Sequence, residues 1–235
     1  MSTRCDHPAK KVIGVNKYKK VKQIMNKNEK FVVTINRELG SGGRTVGRKL
    51  AEKLGVDFYD KAVIKGLEEK YHLTVEEIER LKGRNHGWWA DFKRQMKGGP
   101  DMVNYYIPKA GDEQKLLDTD AVFATETEIL NGIAAEESCV VAGRSGFFVF
   151  RNHPNHMSVL IQASMPFRVE RVSRKQNMTE DEARKTIEKV DKMRENYVKK
   201  YAKTSRYDTR NYDLVIKADD KTEDQIVEQI LLFIG

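Results

Sequence analysis

Short β-branched apolar runs alternate with amphipathic stretches along most of the chain. Phe31–Asn36 (FVVTIN) reads as a buried strand that ends in a glycine cluster, Gly40-Ser41-Gly42-Gly43. A helix pattern follows at once, with Val46, Leu50 and Leu54 recurring at i, i+4, i+8 and Gly55 as its C-terminal stop. Val56–Tyr59 reads as a second strand or extended link, Lys61–Tyr71 as a helix, and Thr74-Val75-Glu76-Glu77 as a capping box opening a further short helix. Beyond Asp120 the pattern predicts helix to about Glu136 and strand over Ser138–Ala142. Strand follows over Met157–Gln162, helix over Pro166–Lys175, and a long charged helix capped at Thr179 and reaching about Tyr201. A strand at Tyr212–Ile216 and a closing helix at Thr222–Ile234 complete the pattern. Strands alternating with helices predict an α/β fold, with a parallel sheet of about five strands covered by helices on both faces.

In such a sheet ligands bind at the carboxyl ends of the strands, so the informative residues follow each strand. The strand–glycine–helix corner at 36–47 would turn backbone N–H groups inward beside a helix N-terminus, an arrangement suited to phosphate. The alternative is a glycine-rich turn that packs tightly and binds nothing. The pattern GxxxxGK[ST] is not met. In one register Gly43-Arg44-Thr45 stands for G-K-T, with Glu38 in the first glycine position. In the other, Gly42 closes the loop and Arg37 takes that first position. Neither register has a lysine in the lysine position.

Gly143-Arg144-Ser145-Gly146 follows the 138–142 strand, which would aim Arg144 over the sheet edge or leave it in a surface turn. Arg168, Arg171 and Lys175 share one helix face with Arg174 beside them. Lys185, Lys189 and Lys192 share another with Arg194 near. Two cationic helices suit a lid over a polyphosphate, and equally suit solvated surfaces.

Composition narrows the class. The 235 residues are 39% apolar and 33% charged, and no run approaches the 18 apolar residues of a membrane span. Two cysteines, Cys5 and Cys139, exclude a disulfide framework and a multi-cysteine zinc site. With no apolar signal segment visible, a reducing cytoplasm is the expected compartment. The net charge of +8 is uneven: residues 1–30 hold nine basic and two acidic side chains and so carry +7 of it. That stretch reads as a disordered basic extension, with nucleic acid or an acidic surface as the other reading. Residues 83–118 are rich in glycine and proline and carry Trp88 and Trp89. They read as an inserted binding segment whose tryptophans form either a small core or a base-stacking wall. The spacing of His72, His86, His153 and His156 suits no metal, and Cys139 reads as a buried strand residue.

Together these motifs resemble the cytidylate kinase-like family, a branch of the nucleoside monophosphate kinases with the P-loop fold. The stretches carrying the resemblance are VTINRELGSGGRTVGRKLAEKLGVDFYDKAVI (33–64), VVAGRSGFF (140–148), RVERVSRKQNMTEDEARKTIEKVDKMRENYVKKY (168–201) and NYDLVI (211–216). The resemblance implies a three-layer P-loop domain over 31–235, with a helical lid at 176–203 and 83–118 as the acceptor-binding segment. It implies phosphoryl transfer from ATP with Mg2+ to a small acceptor, most simply CMP or dCMP. A nucleotide-binding module without transfer and a kinase for a non-nucleotide acceptor are the alternatives. By the same resemblance Gly40, Ser41, Gly42, Gly43, Arg44 and Thr45 form the ATP phosphate loop, with Thr45 near Mg2+. Arg44, Arg171, Arg174 and Arg194 neutralise the transferred group, while Asp60, Arg144 and Ser145 meet the acceptor. Ser145 stands where the family's signature carries an aspartate.

Overall fold

The computed structural model describes residues 25–61 and 120–235 together with Ile64, Thr74, Glu76, Ile78 and Trp89. All of the expected helix at 61–71 except Lys61 and Ile64, most of the capping box at 74–77, Trp88 and nearly all of 83–118 lie outside the described residues.

Five strands form one parallel sheet: β1 (Val32–Arg37), β2 (Asp57–Asp60), β3 (Cys139–Ala142), β4 (His156–Gln162) and β5 (Leu214–Lys217). Their order is β2-β3-β1-β4-β5. β1 pairs Val33 with Val140 on one side and with Met157 on the other. The described helices are α1 (Gly43–Leu54), α2 (Asp120–Glu136), the short α3 (Gly146–Val149), α4 (Met165–Gln176), α5 (Glu180–Ala202) and α6 (Glu223–Ile234). The chain leaves β1 toward β2 and leaves β4 toward β5 on the other side. The direction of winding therefore reverses beside β1, which opens a crevice at the strand ends there.

The period of two along β1 sorts its side chains into two cores. Val33 and Ile35 pack with Val46 and Leu50 of α1 and with Ile226 and Ile230 of α6. Val32 faces the opposite side with Ile129, Leu130 and Ile133 of α2, and with Tyr59, Ile64, Ile78 and Trp89. A third cluster joins Val169 and Val172 of α4 to Ala183 and Ile187 of α5, with Leu39 packed against it. Of the two readings of the tryptophans, Trp89 belongs to the core: it is buried and meets Tyr59 edge-on, with ring centroids 6.4 Å apart.

Local chemistry sets the helix ends. Thr179 and Glu182 form the expected reciprocal capping box on α5, and Thr222 and Gln225 form another on α6. Ser164 caps α4 ahead of Pro166, and Gly55 closes α1 in the left-handed region. Residues 25–30, which composition groups with the basic extension, pack onto the domain. Met25 is buried in the first core, and Asn155 accepts from the Asn26 amide at 2.9 Å while donating to the Asn26 and Lys30 carbonyls. Among the described helices, none is long and apolar enough to cross a membrane.

Candidate functional site

The loops after β1 and β3 meet at the crevice. Between β1 and α1 the chain reverses through Gly40 (φ 87°) and Gly42 (φ 85°), both left-handed. Gly42 is the N-cap of α1, so Gly43 is its first helical residue. This matches the register in which Gly42 closes the loop, Gly43 stands in the lysine position and Arg37 in the first glycine position. Glycine at 40 is also required by space, since a Cβ there would lie 2.8 Å from the Arg168 carbonyl oxygen. The first turn of α1 has no side-chain cap and no acidic residue. Its amides are therefore not occupied by a capping side chain, which is what an anion needs from a helix start.

The loop's own residues brace it from beneath. The Glu38 carboxylate accepts from the Ala163 amide at 2.9 Å, and Ser41 Oγ donates to the Glu38 carbonyl at 3.0 Å. Asp191 of α5, buried, accepts from the Leu39 amide at 3.0 Å and from Arg168 Nη1 at 2.6 Å. It also lies 3.3 Å from Arg206 Nη1 and 3.5 Å from Arg194 Nη1. One carboxylate thus ties the long helix, α4 and the segment before β5 to the loop between β1 and α1.

After β3 the turn Gly143-Arg144-Ser145 runs through three successive left-handed residues, with φ of 83°, 52° and 51°. Non-glycine residues rarely adopt this region, and such strain gathers at binding sites. It brings Arg144 under the long helix. Arg144 pairs with Glu126 of α2, its guanidinium lies 4.7 Å from the Tyr197 ring centroid, and Tyr197 donates to Glu126 at 3.3 Å. Ser145 is 2% exposed, and its Oγ has no hydrogen-bond partner among the described residues.

Between these turns lies a cavity of about 140 Å3. Its described walls include Arg37, Lys61, Arg144, Arg194 and Arg206 together with Asn36, Gly143, Ser145 and Tyr197, and no carboxylate. That volume is several times what one water centre occupies. Five cations line it with no acid among the described lining residues, although Arg144 pairs with Glu126, and Arg194 and Arg206 with Asp191, just outside that lining; such a wall suits an anion.

The sequence-predicted residues divide. Arg144, Ser145 and Arg194 line the cavity. Arg171 stands at the loop: its guanidinium would lie 3.5 Å from a Cβ at Gly42, and it pairs with Glu223 at the start of α6. Burial works against ionised Glu223, but its own backbone N–H and Arg171 outweigh this and hold the carboxyl below its ordinary range. Arg174 is mostly exposed and lies 3.8 Å from Glu170 on the same helix, apart from the cavity lining. Arg44 and Asp60 meet each other at 2.5 Å. Arg37, Lys61, Arg206, Tyr197 and Glu126 were not singled out as site residues. Arg37 and Lys61 lie inside the quoted 33–64 stretch and Tyr197 inside the 168–201 stretch, while Arg206 and Glu126 sit in patterns indistinguishable from ordinary helix or loop.

The fit to ATP and Mg2+ follows from these groups. The uncapped α1 amides, the left-handed glycines and Arg171 suit a polyphosphate. Thr45 is half-buried in the first turn of α1. Among the described residues no group of three His, Cys, Asp or Glu forms a metal cage. Mg2+ in phosphate sites draws most of its ligands from phosphate and water. His153 and His156 form no metal pair: His156 lies 2.8 Å from Thr34 Oγ1, and burial depresses its pKa to about 4.

The profile of the cytidylate kinase-like family matches residues 32–220. A curated protein of Lacinutrix mariniflava, an S-adenosylmethionine-dependent nucleotide dehydratase, is 25% identical over 207 residues. That match takes in 86% of this chain and 35% of the relative, so the chain spans about a third of the relative's length. The crystal structure of an uncharacterized protein from Eubacterium ventriosum superposes with a TM-score of 0.63 at 22% identity, covering 88% of this chain and 98% of that one.

Proposed function

The chain belongs to the cytidylate kinase-like family, a P-loop kinase-like group, and from that premise we propose that it transfers a phosphoryl group from ATP to a nucleoside monophosphate such as CMP or dCMP. The observation that carries the reading is the cavity lined by Arg37, Lys61, Arg144, Arg194 and Arg206; residues 40–45 are not among its described lining, and Arg37 is the wall residue that stands against Gly43 at the start of α1. Donor phosphates belong at the amides of 40–45, with Arg171 at their flank. The acceptor phosphate belongs with Arg144, held from behind by Glu126 and covered by Tyr197. The orphaned Ser145 hydroxyl offers one hydrogen bond to that ligand.

The chemistry asked of the chain is positioning and charge neutralisation, because phosphoryl transfer needs no covalent protein intermediate. Arg144 orients the acceptor oxygen, Arg194 and Arg206 offset negative charge, and α5 with its apolar edge excludes water from above. Mg2+, when bound with the triphosphate, supplies further neutralisation, with Thr45 as the protein hydroxyl offered to it. The nucleotide named in the activity of the Lacinutrix relative fits a nucleotide ligand here.

A second reading, binding without transfer, is favoured by two observations: Arg44 is engaged by Asp60, and the lysine position is glycine. A coupled assay with ATP and a panel of nucleoside monophosphates, run beside thermal shifts with the same ligands, separates the two. Transfer to at least one monophosphate supports the kinase. Stabilisation by ATP and monophosphate without product selects the binding module.

A further inference from the structure

The phosphate loop lacks its lysine, yet its geometry provides a cation from elsewhere. We propose that Arg37, at the end of β1, serves as the loop cation in place of the lysine; the inference rests on the reading of the corner as a triphosphate site. In the GxxxxGK[ST] loop a lysine at the first helical position reaches the outer phosphates. Here that position is Gly43. A Cβ on Gly43 would lie 2.4 Å from Arg37 Cβ and 3.0 Å from its Cγ. No lysine can stand at 43 while the Arg37 side chain is where it is, because the Arg37 stem fills the place that side chain would leave from.

The far end of the same side chain is placed by a second glycine. A Cβ on Gly143 would lie 2.0 Å from Arg37 Nη1 and 3.2 Å from its Cζ. The Arg37 guanidinium therefore lies against the backbone of the β3 turn, on the wall of the cavity that Arg144 also lines. Gly143 is left-handed and Gly43 opens a helix, so each serves the backbone as well; together they clear a path for one long cation. The Arg37 backbone is fixed too, its carbonyl accepting from Arg206 Nη2. The other candidate, Arg44, is turned to Asp60 at the end of β2. A planar guanidinium can hold two phosphate oxygens at once, where an ammonium acts as a point charge.

The test is calorimetric titration of Mg2+-ATP into the full chain and its variants, with folding checked by circular dichroism. Arg37→Ala is expected to weaken ATP binding by roughly tenfold to a hundredfold, as loss of a charge-assisted contact does. The reciprocal double variant Arg37→Gly/Gly43→Lys, which rebuilds an ordinary loop, is expected to regain most of that loss. If either variant fails to fold, Arg37→Gln, which keeps the stem and drops the charge, gives the same comparison. A folded Arg37→Ala or Arg37→Gln protein that binds ATP within twofold of the unsubstituted chain overturns the inference and leaves the kinase reading standing. A folded double variant with no recovery overturns the equivalence of the two positions. No ATP binding by the unsubstituted chain overturns both the inference and the reading beneath it.

Discussion

Arg44 Nε donates to Asp60 Oδ2 at 2.5 Å, joining the first turn of α1 to the end of β2. The carboxylate is almost wholly buried and the guanidinium about one-third exposed. Both were expected to meet ligands; the structure brings them to each other. Removing Arg44 takes a partner from a buried carboxylate. We therefore expect Arg44→Ala to cost about 1–3 kcal/mol in urea unfolding, and Arg44→Lys, which keeps the charge, to cost less. If Arg44 instead acts on the donor phosphates, ATP affinity falls with little change in stability, so the two roles separate in one pair of measurements.

Asp191 makes the larger structural claim. It serves the Leu39 amide, Arg168, Arg194 and Arg206 at once, from within α5. Asp191→Ala leaves buried guanidinium groups without their shared counter-charge and is expected to cost about 3–5 kcal/mol. Asp191→Asn keeps an oxygen for the Leu39 amide and is expected to cost less. Hydrogen exchange should show α5 losing protection before the β1 and β4 strands in either variant.

Ser145 offers a test in which stability and function move in opposite directions. Its buried Oγ lacks a partner among the described residues. Ser145→Ala is expected to leave the unliganded protein equally stable or about 1 kcal/mol more stable, while the KM for the acceptor rises. An unchanged KM removes Ser145 from the acceptor site.

The pH dependence has a definite sign at His156. Burial, partly offset by Asp213, lowers its pKa from 6.5 to about 4, so between those values the unfolded chain binds a proton that the folded chain does not. Its contribution to stability is therefore present above pH 6.5 and is lost as pH falls toward 4, by up to about 3 kcal/mol. Thermal unfolding of His156→Gln across that range should show a shallower acid slope than the unsubstituted chain. Equal slopes would place the acid sensitivity elsewhere.

How legible the molecule was depends on whether local or distant chemistry decides. Thr179 and Glu182 carry the start of α5 in their own spacing, and the strand of Ser138–Ala142 shows in its unbroken apolar run. Strand ends shift by one or two residues because pairing fixes them: β5 begins at Leu214, where Val159 meets it, rather than at Tyr212. The four-residue α3 follows a left-handed serine that no propensity announces. At the site, the glycine run hid the loop's register until the start of α1 settled it. The Glu126–Arg144–Tyr197 contact joins residues up to 71 apart in sequence, and of the three only Arg144 stands out in its own stretch. Arg174, three residues from Arg171, shows the converse. The family resemblance suggested both, and only Arg171 reaches the loop glycine.

The most direct measurement is phosphorus NMR of ATP, Mg2+ and CMP mixed with the protein, following the γ-phosphoryl group. The account predicts that its signal declines as ADP and CDP signals grow in equal amounts, and that Arg144→Ala slows this at least a hundredfold while the protein remains folded. A γ signal that persists with CMP and every other nucleoside monophosphate, or that converts only to inorganic phosphate, contradicts it.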